Sequence, residues 1–180
     1  FYQASTFETV AANHPDAAER AKGRELFLRM LEFTLRCNAS HLTALPGVEW
    51  EGVSHADSIK RSADELSWRA QQAQQIWVIF SIEPHNGSLA DTPEKALELV
   101  QSSPGLTLTL DYTHYARNGI PDARVEPLLA YASHFHPRSA RNGRLQAHVQ
   151  QTTNDSARLL QQVTQPAEQA ALGADAWWRW

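Results

Sequence analysis

The sequence predicts an α/β fold of parallel strands and helical crossovers, arranged as part of a (β/α)8 barrel. Three observations predict it. Helix-like and strand-like segments alternate along the chain, the pattern of parallel strands joined by right-handed crossovers. Three apolar runs, residues 77–82, 106–110 and 131–135, lead into Glu83, Asp111 and His136, which fall 28 and 25 residues apart, close to the roughly 30-residue βαβ unit. No glycine-rich phosphate loop of a doubly wound nucleotide-binding sheet is present, since the loops carry only Pro46-Gly47, Asn86-Gly87 and Asn118-Gly119. Functional side chains at the ends of successive strands are instead how barrels build their sites. A full barrel takes eight strands and about 250 residues, and four strands are legible, so an incomplete barrel is expected.

The elements follow in order. Residues 16–36 are expected to be helical, with Asp16 as cap after Pro15 and with Ala21, Leu26, Phe27, Met30, Leu31 and Phe33 at helical spacing. Residues 40–45 form a short strand stopped by Pro46-Gly47. Ser54 or Asp57 opens a second helix to about Gln74, with Ile59, Ala63, Leu66 and Ala70 on one face. The strand 77–82 follows, then a loop of Pro84-His85-Asn86-Gly87-Ser88. Thr92-Pro93-Glu94 starts a third helix with proline at its first position, and Pro104-Gly105 ends it before the strand 106–110. Pro121-Asp122 introduces a helix over 122–130, the strand 131–135 comes next, and Asn154 or Asp155 starts a last helix to about Val163. Residues 164–180 read as a divergent tail ending Trp177-Trp178-Arg179-Trp180, an aromatic cluster that favours self-association where exposed.

Composition narrows the function classes. The 180 residues suit one domain, and 42% hydrophobic with 20% charged residues is ordinary for a globular protein. A net charge of −4 with no basic block argues against a phosphate-backbone surface. No apolar stretch reaches the roughly 20 residues of a membrane span. Cys37 has no partner for an internal disulfide and ends the first helix. A cytoplasmic protein without nucleic-acid or membrane partners is expected.

Two carboxylates and an imidazole converging on one sheet edge are the makings of a divalent-cation site. Glu83 can serve as ligand and base, or as a salt-bridged strand end. Asp111 follows five apolar or β-branched residues, where a charge is costly unless it is paired or bound to metal; capping of the next turn through Thr113 and His114 is the other reading. His134 and His136 lie two apart and point to one face, and His41 reads as structural. Arg138, Arg141 and Arg144 follow the last strand, Arg138 nearest the ligands and suited to a substrate phosphate or carboxylate.

Ser81-Ile82-Glu83-Pro84-His85, Leu110-Asp111-Tyr112-Thr113-His114 and Ser133-His134-Phe135-His136-Pro137-Arg138 resemble the motifs of the xylose isomerase-like TIM barrel superfamily. It holds sugar and sugar-phosphate isomerases and epimerases, with AP endonuclease IV as a distant relative. The similarity runs over roughly residues 20–163. It implies that the four strands are barrel strands 4 to 7, with strands 1 to 3 expected ahead of Phe1. It also implies a divalent metal held by Glu83, Asp111 and His136, with a fourth ligand, a glutamate from strand 8, that has no counterpart here. Gln165-Pro166-Ala167-Glu168 does not read as that strand. His114, His85 and Arg138 are the substrate-binding candidates, and in a three-metal site His114 would be a ligand. An oxygen-rich set with one imidazole suits Mn²⁺, Mg²⁺ or Co²⁺, with Zn²⁺ also accommodated.

The expected activity is isomerisation or epimerisation of a sugar or sugar phosphate by proton transfer through an enediolate, with Glu83 as the catalytic residue and the chain self-associating. An endonuclease IV-like phosphodiesterase ranks lower, because Arg144-Leu145-Gln146-Ala147-His148 lacks that site's aspartate. A non-catalytic metal- or sugar-binding homologue is the third reading, from the missing fourth ligand.

Overall fold

The structure is a computed structural model that describes residues 11–136, 138, 140, 141, 143 and 144. The expected helix to Val163, the tail 164–180 and Glu168 lie outside the described residues. The elements are α1 (Ala17–Arg36), β1 (His41–Ala44), α2 (His55–Gln74), β2 (Ile79–Ile82), α3 (Pro93–Gln101), β3 (Thr107–Leu110), α4 (Tyr112–Arg117), α5 (Asp122–Val125), a 3-10 turn (Glu126–Tyr131) and β4 (Ala132–Phe135). The four strands form one parallel sheet in the order β1-β2-β3-β4.

Local chemistry sets the helix starts. Asp16 accepts from Ala18 N at 2.8 Å, Ser54 from Asp57 N at 3.1 Å and Thr92 from Lys95 N at 3.3 Å, each filling an orphan donor of the first turn. Ser54 is therefore the cap of α2, and Asp57 sits inside its first turn. Three sequence expectations change. The helix expected over 122–130 is one α turn followed by a 3-10 turn, because Pro127 has no N–H for Ala123 O and its ring crowds that carbonyl. A helix not expected at all, α4, begins directly after Asp111. Trp77 belongs to the turn that ends α2 rather than to β2: it has φ +60° and is 91% exposed.

The sheet has two chemically distinct faces. Leu42, Phe80, Ile82, Leu108 and Leu110 meet the helices, packing with Phe27, Leu31, Leu66, Ala70, Leu99 and Leu128 into one apolar core. The other face carries hydroxyls and imidazoles. Thr43 Oγ1 lies 2.8 Å from Thr109 Oγ1, Ser81 Oγ 2.7 Å from Thr109 Oγ1, and Thr107 Oγ1 2.7 Å from Ser133 Oγ. His41 Nε2 is 3.2 Å from Ser133 Oγ, and the His41 and His134 rings are 4.8 Å apart.

A register shift makes this segregation possible in β4. Leu108 pairs with Ala132, whereas Thr109 pairs with His134 and Leu110 with Phe135, so Ser133 is one residue too many. Side chains alternate along a strand, and Ala132 and Phe135, three apart, would normally face opposite ways. The extra residue lets both pack on the core and turns Ser133, His134 and His136 to the polar face.

Candidate metal centre

The three carboxyl-terminal strand ends deliver side chains to one place. Glu83 follows β2, its N–H donating to Ala44 O at 2.9 Å, so the parallel ladder runs to the residue itself. Its side chain is 12% exposed. Asp111 follows β3, is fully buried, and caps α4: Oδ1 accepts from Thr113 N at 2.9 Å and from the Thr113 hydroxyl. Capping uses one carboxylate oxygen and leaves Oδ2 facing the site. One turn into α4, the buried His114 places Nε2 at 3.6 Å from Glu83 Oε1 and 3.7 Å from Asp111 Oδ2.

Ligand atoms of Glu83, Asp111 and His114 all lie within 4.8 Å of one another. His114 Nε2 is buried and finds no hydrogen bond among the described residues, and the buried Asp111 Oδ2 has the Arg138 guanidinium against it. A buried ring nitrogen left so is costly, and a hard cation held by the two carboxylate oxygens would satisfy it as a third donor. The donor set therefore fits a divalent ion.

His136 and Arg138 complete the cluster. The N–H of His136 donates to Leu110 O at 3.1 Å, and Nδ1 lies 3.2 Å from Glu83 Oε1. Arg138 forms a close ion pair with Asp111 Oδ2, and its guanidinium is 3.6 Å from Glu83 Oε1. The His85 ring stands 4.1 Å from that of His114. All six side chains singled out in the sequence thus gather at one end of the sheet. His136 enters through Glu83, while His114 is the imidazole set between both carboxylates.

Sequence reasoning missed the supporting groups. Asn86 Nδ2 is 3.5 Å from His114 Nδ1, and Asn118 Nδ2 donates to Asn86 Oδ1 at 2.7 Å, so an amide pair backs the imidazole. Thr113 fixes Asp111. The Asp-x-x-His spacing could have disclosed a helix here, because i and i+3 share a helix face.

The electrostatics are uneven. Burial pushes the Glu83 carboxyl up, but the imidazoles of His114 and His136 outweigh it and hold the group at about 2. The contact with Glu83 raises His136, against burial and the Arg138 charge. Burial lowers His85 and His134, and takes His41 down to about 4, helped by the charges of His134 and His136. An ionised Glu83 thus sits above a layer of hydroxyls and of imidazoles that burial pushes toward the neutral form.

Residues 2–164 match the model of the family described as xylose isomerase-like TIM barrel. No curated protein matches the chain. Among solved structures, D-psicose 3-epimerase from Clostridium cellulolyticum H10, crystallised with D-tagatose, is similar at 15% identity and TM-score 0.61, over 73% of this chain and 50% of that one. AP endonuclease, family 2, from Brucella melitensis is similar at 16% identity and TM-score 0.64, over 83% and 59%. The IOLI protein with a bound zinc atom is similar at 20% identity and TM-score 0.62, over 74% and 51%. At these identities the likeness shows the fold. The chain spans about half the length of the epimerase structures it matches.

Proposed function

The chain belongs to the xylose isomerase-like TIM barrel family, and from that membership we propose that it carries the metal centre of a sugar or sugar-phosphate isomerase or epimerase. One observation carries the reading: ligand atoms of Glu83, Asp111 and the buried His114 lie within 4.8 Å of one another, at the strand ends where barrels act. Glu83, Asp111 and His136 are the proposed ligands, with His114 Nε2 as a further donor from the wall. His114, His85 and Arg138 line the proposed sugar site. Mn²⁺, Mg²⁺, Co²⁺ or Zn²⁺ suits the donor set.

Bound there, such an ion would polarise a sugar carbonyl and the hydroxyl beside it. The chain supplies the rest. Glu83, ionised across the physiological range, is the proposed acceptor for the proton leaving the hydroxyl-bearing carbon beside the carbonyl. Proton removal there would give an enediolate. A carboxylate held near 2 is a stronger ligand than base, so base work by Glu83 requires that His114 and His136 turn from it. Arg138 offers a fork of donors to a substrate oxyanion. The layer of Ser81, Thr109 and Thr43 closes the floor beneath the two carboxylates.

A phosphodiesterase is the second reading, favoured by the place of His114 one turn after Asp111; the net charge of −4 opposes it. A non-catalytic homologue is the third. A small sugar as partner and a cytoplasmic location are proposals as well; no helix among the described residues is long and apolar enough to cross a membrane.

Metal analysis with solvent-deuterium exchange into ketoses is the test. The protein should retain about one divalent ion, and Asp111→Asn should lose it while keeping its helix content. Exchange at the carbon beside the carbonyl supports the isomerase. Bound metal without exchange supports the non-catalytic homologue, and cleavage of an abasic duplex supports the phosphodiesterase. Equal metal content in wild type and Asp111→Asn removes Asp111 from the site and overturns the reading.

A further inference from the structure

Arg138 is delivered to the carboxylates by backbone anchored on both sides. Upstream, His136 N–H continues the β3–β4 pairing onto Leu110 O at 3.1 Å. Downstream, Gly143 N–H donates to Arg117 O at 2.7 Å, and Ala140 is fully buried. The guanidinium pairs with Asp111 Oδ2 and lies 3.6 Å from Glu83 Oε1. These are the same two oxygens that flank His114 Nε2, at 3.7 and 3.6 Å.

One place cannot serve two cations. The two carboxylates are 0% and 12% exposed, so each needs a countercharge. A guanidinium is a donor with no lone pair to offer a metal, and its charge repels a divalent ion sharing its oxygens. The Arg138 side chain is 40% exposed, unlike those it touches, so solvent is open to it when it leaves.

We propose that Arg138 is a built-in competitor for the divalent ion, exchanging with it on Asp111 Oδ2 and Glu83 Oε1, so that metal loading releases the guanidinium to the substrate. The proposal rests on the metal-centre reading above and adds an order to it: the ion enters first, and the anion-binding fork becomes available only then. Before loading, Arg138 keeps two nearly buried carboxylates compensated. After loading, the same side chain sits beside the ion, placed for a substrate phosphate or carboxylate.

The size of the effect follows from occupancy. If the ion pair is closed nine-tenths of the time, the apparent Kd for metal is about tenfold weaker than that of a protein without the competitor. Calorimetric titration of MnCl2 into the chelator-stripped 180-residue chain tests it. Arg138→Gln should bind Mn²⁺ about tenfold more tightly than wild type, and Mn²⁺ should raise its melting temperature by more. Arg138→Lys keeps the charge without the fork, and should tighten binding by about threefold, an intermediate occupancy of the competing state; it decides the matter if the glutamine variant does not fold. Unchanged or weaker binding in both variants overturns the proposal and makes Arg138 a support for the carboxylates. In that case, loss of binding in Asp111→Asn leaves the metal centre standing and only the competition fails. If neither wild type nor Arg138→Gln binds Mn²⁺, the metal-centre reading falls and the competition with it.

Discussion

Asp111 divides its two oxygens between structure and site. Oδ1 closes the first turn of α4 through Thr113, and Oδ2 faces Arg138 and His114. The two readings left open by the sequence, cap and site carboxylate, therefore describe different atoms of one side chain. Glu83 carries a testable consequence of its surroundings. Its carboxyl is held at about 2, below the usual 4.5, so the stability it contributes is complete above about pH 4.5 and is lost as pH falls toward 2. In chelator-containing buffer, wild type should lose on the order of 3 kcal/mol more than Glu83→Gln between pH 5 and pH 2. Urea unfolding at the two pH values measures this; parallel losses in the two proteins would show that the imidazoles do not hold the group. At this scale the sequence was informative about Glu83, Asp111 and His136, because a polar residue closing an apolar run is visible one residue at a time. The pairing of Arg138 with Asp111 was not visible, since it depends on where a loop 27 residues away in sequence is anchored.

Helix ends and strand register decide which of these residues meet. α1 ends with Asn38 at φ +54°, a residue that tolerates the left-handed region. α2 ends on the same pair of bonds, Val78 N to Ala73 O and Trp77 N to Gln74 O, but puts a tryptophan there at φ +60°. Trp77 is 91% exposed, so its ring offsets little of the roughly 1 kcal/mol backbone cost. Trp77→Gly should therefore stabilise the protein by about 0.5–1 kcal/mol. Thermal or urea melts check it, and a destabilised variant would mean that the ring packs against something in solution. The capped helices α1, α2 and α3 were legible because Asp16, Ser54 and Thr92 are strong local signals. α4 was not, since Tyr112, Thr113, His114, Tyr115 and Ala116 are all buried and leave no polar face to set a helical period. The bulge in β4 was equally hidden, because it exists only relative to β3.

The molecule as described is a parallel sheet with a helix-covered face and a polar face. Among the described residues, β1 pairs only with β2 and β4 only with β3, which leaves ladder groups open at both edges. Leu26, Leu28, Phe33 and Leu35 on α1 are exposed as well. The 180-residue chain studied alone is expected to self-associate or to melt over a broad range. Sedimentation at a mass above 20.2 kDa would agree; a monomer with one sharp cooperative transition would not. Fold class was readable from the order of elements, and half a barrel from the count of strands. The polar floor of Thr43, Ser81, Thr109 and Ser133 was not readable, because a hydroxyl in a short strand gives no sign of which way it points until its neighbours are placed.

One codon governs the character of that floor. Ser133 works as a frame-shift written in backbone: bulged out of the ladder, it lets the imidazoles that follow look toward the polar chamber and the phenyl ring of Phe135 look toward the helices. Paired in an unbroken ladder instead, Ser133 would make the two trade places, and the chamber would be walled with hydrocarbon while the histidines lay stranded in oil.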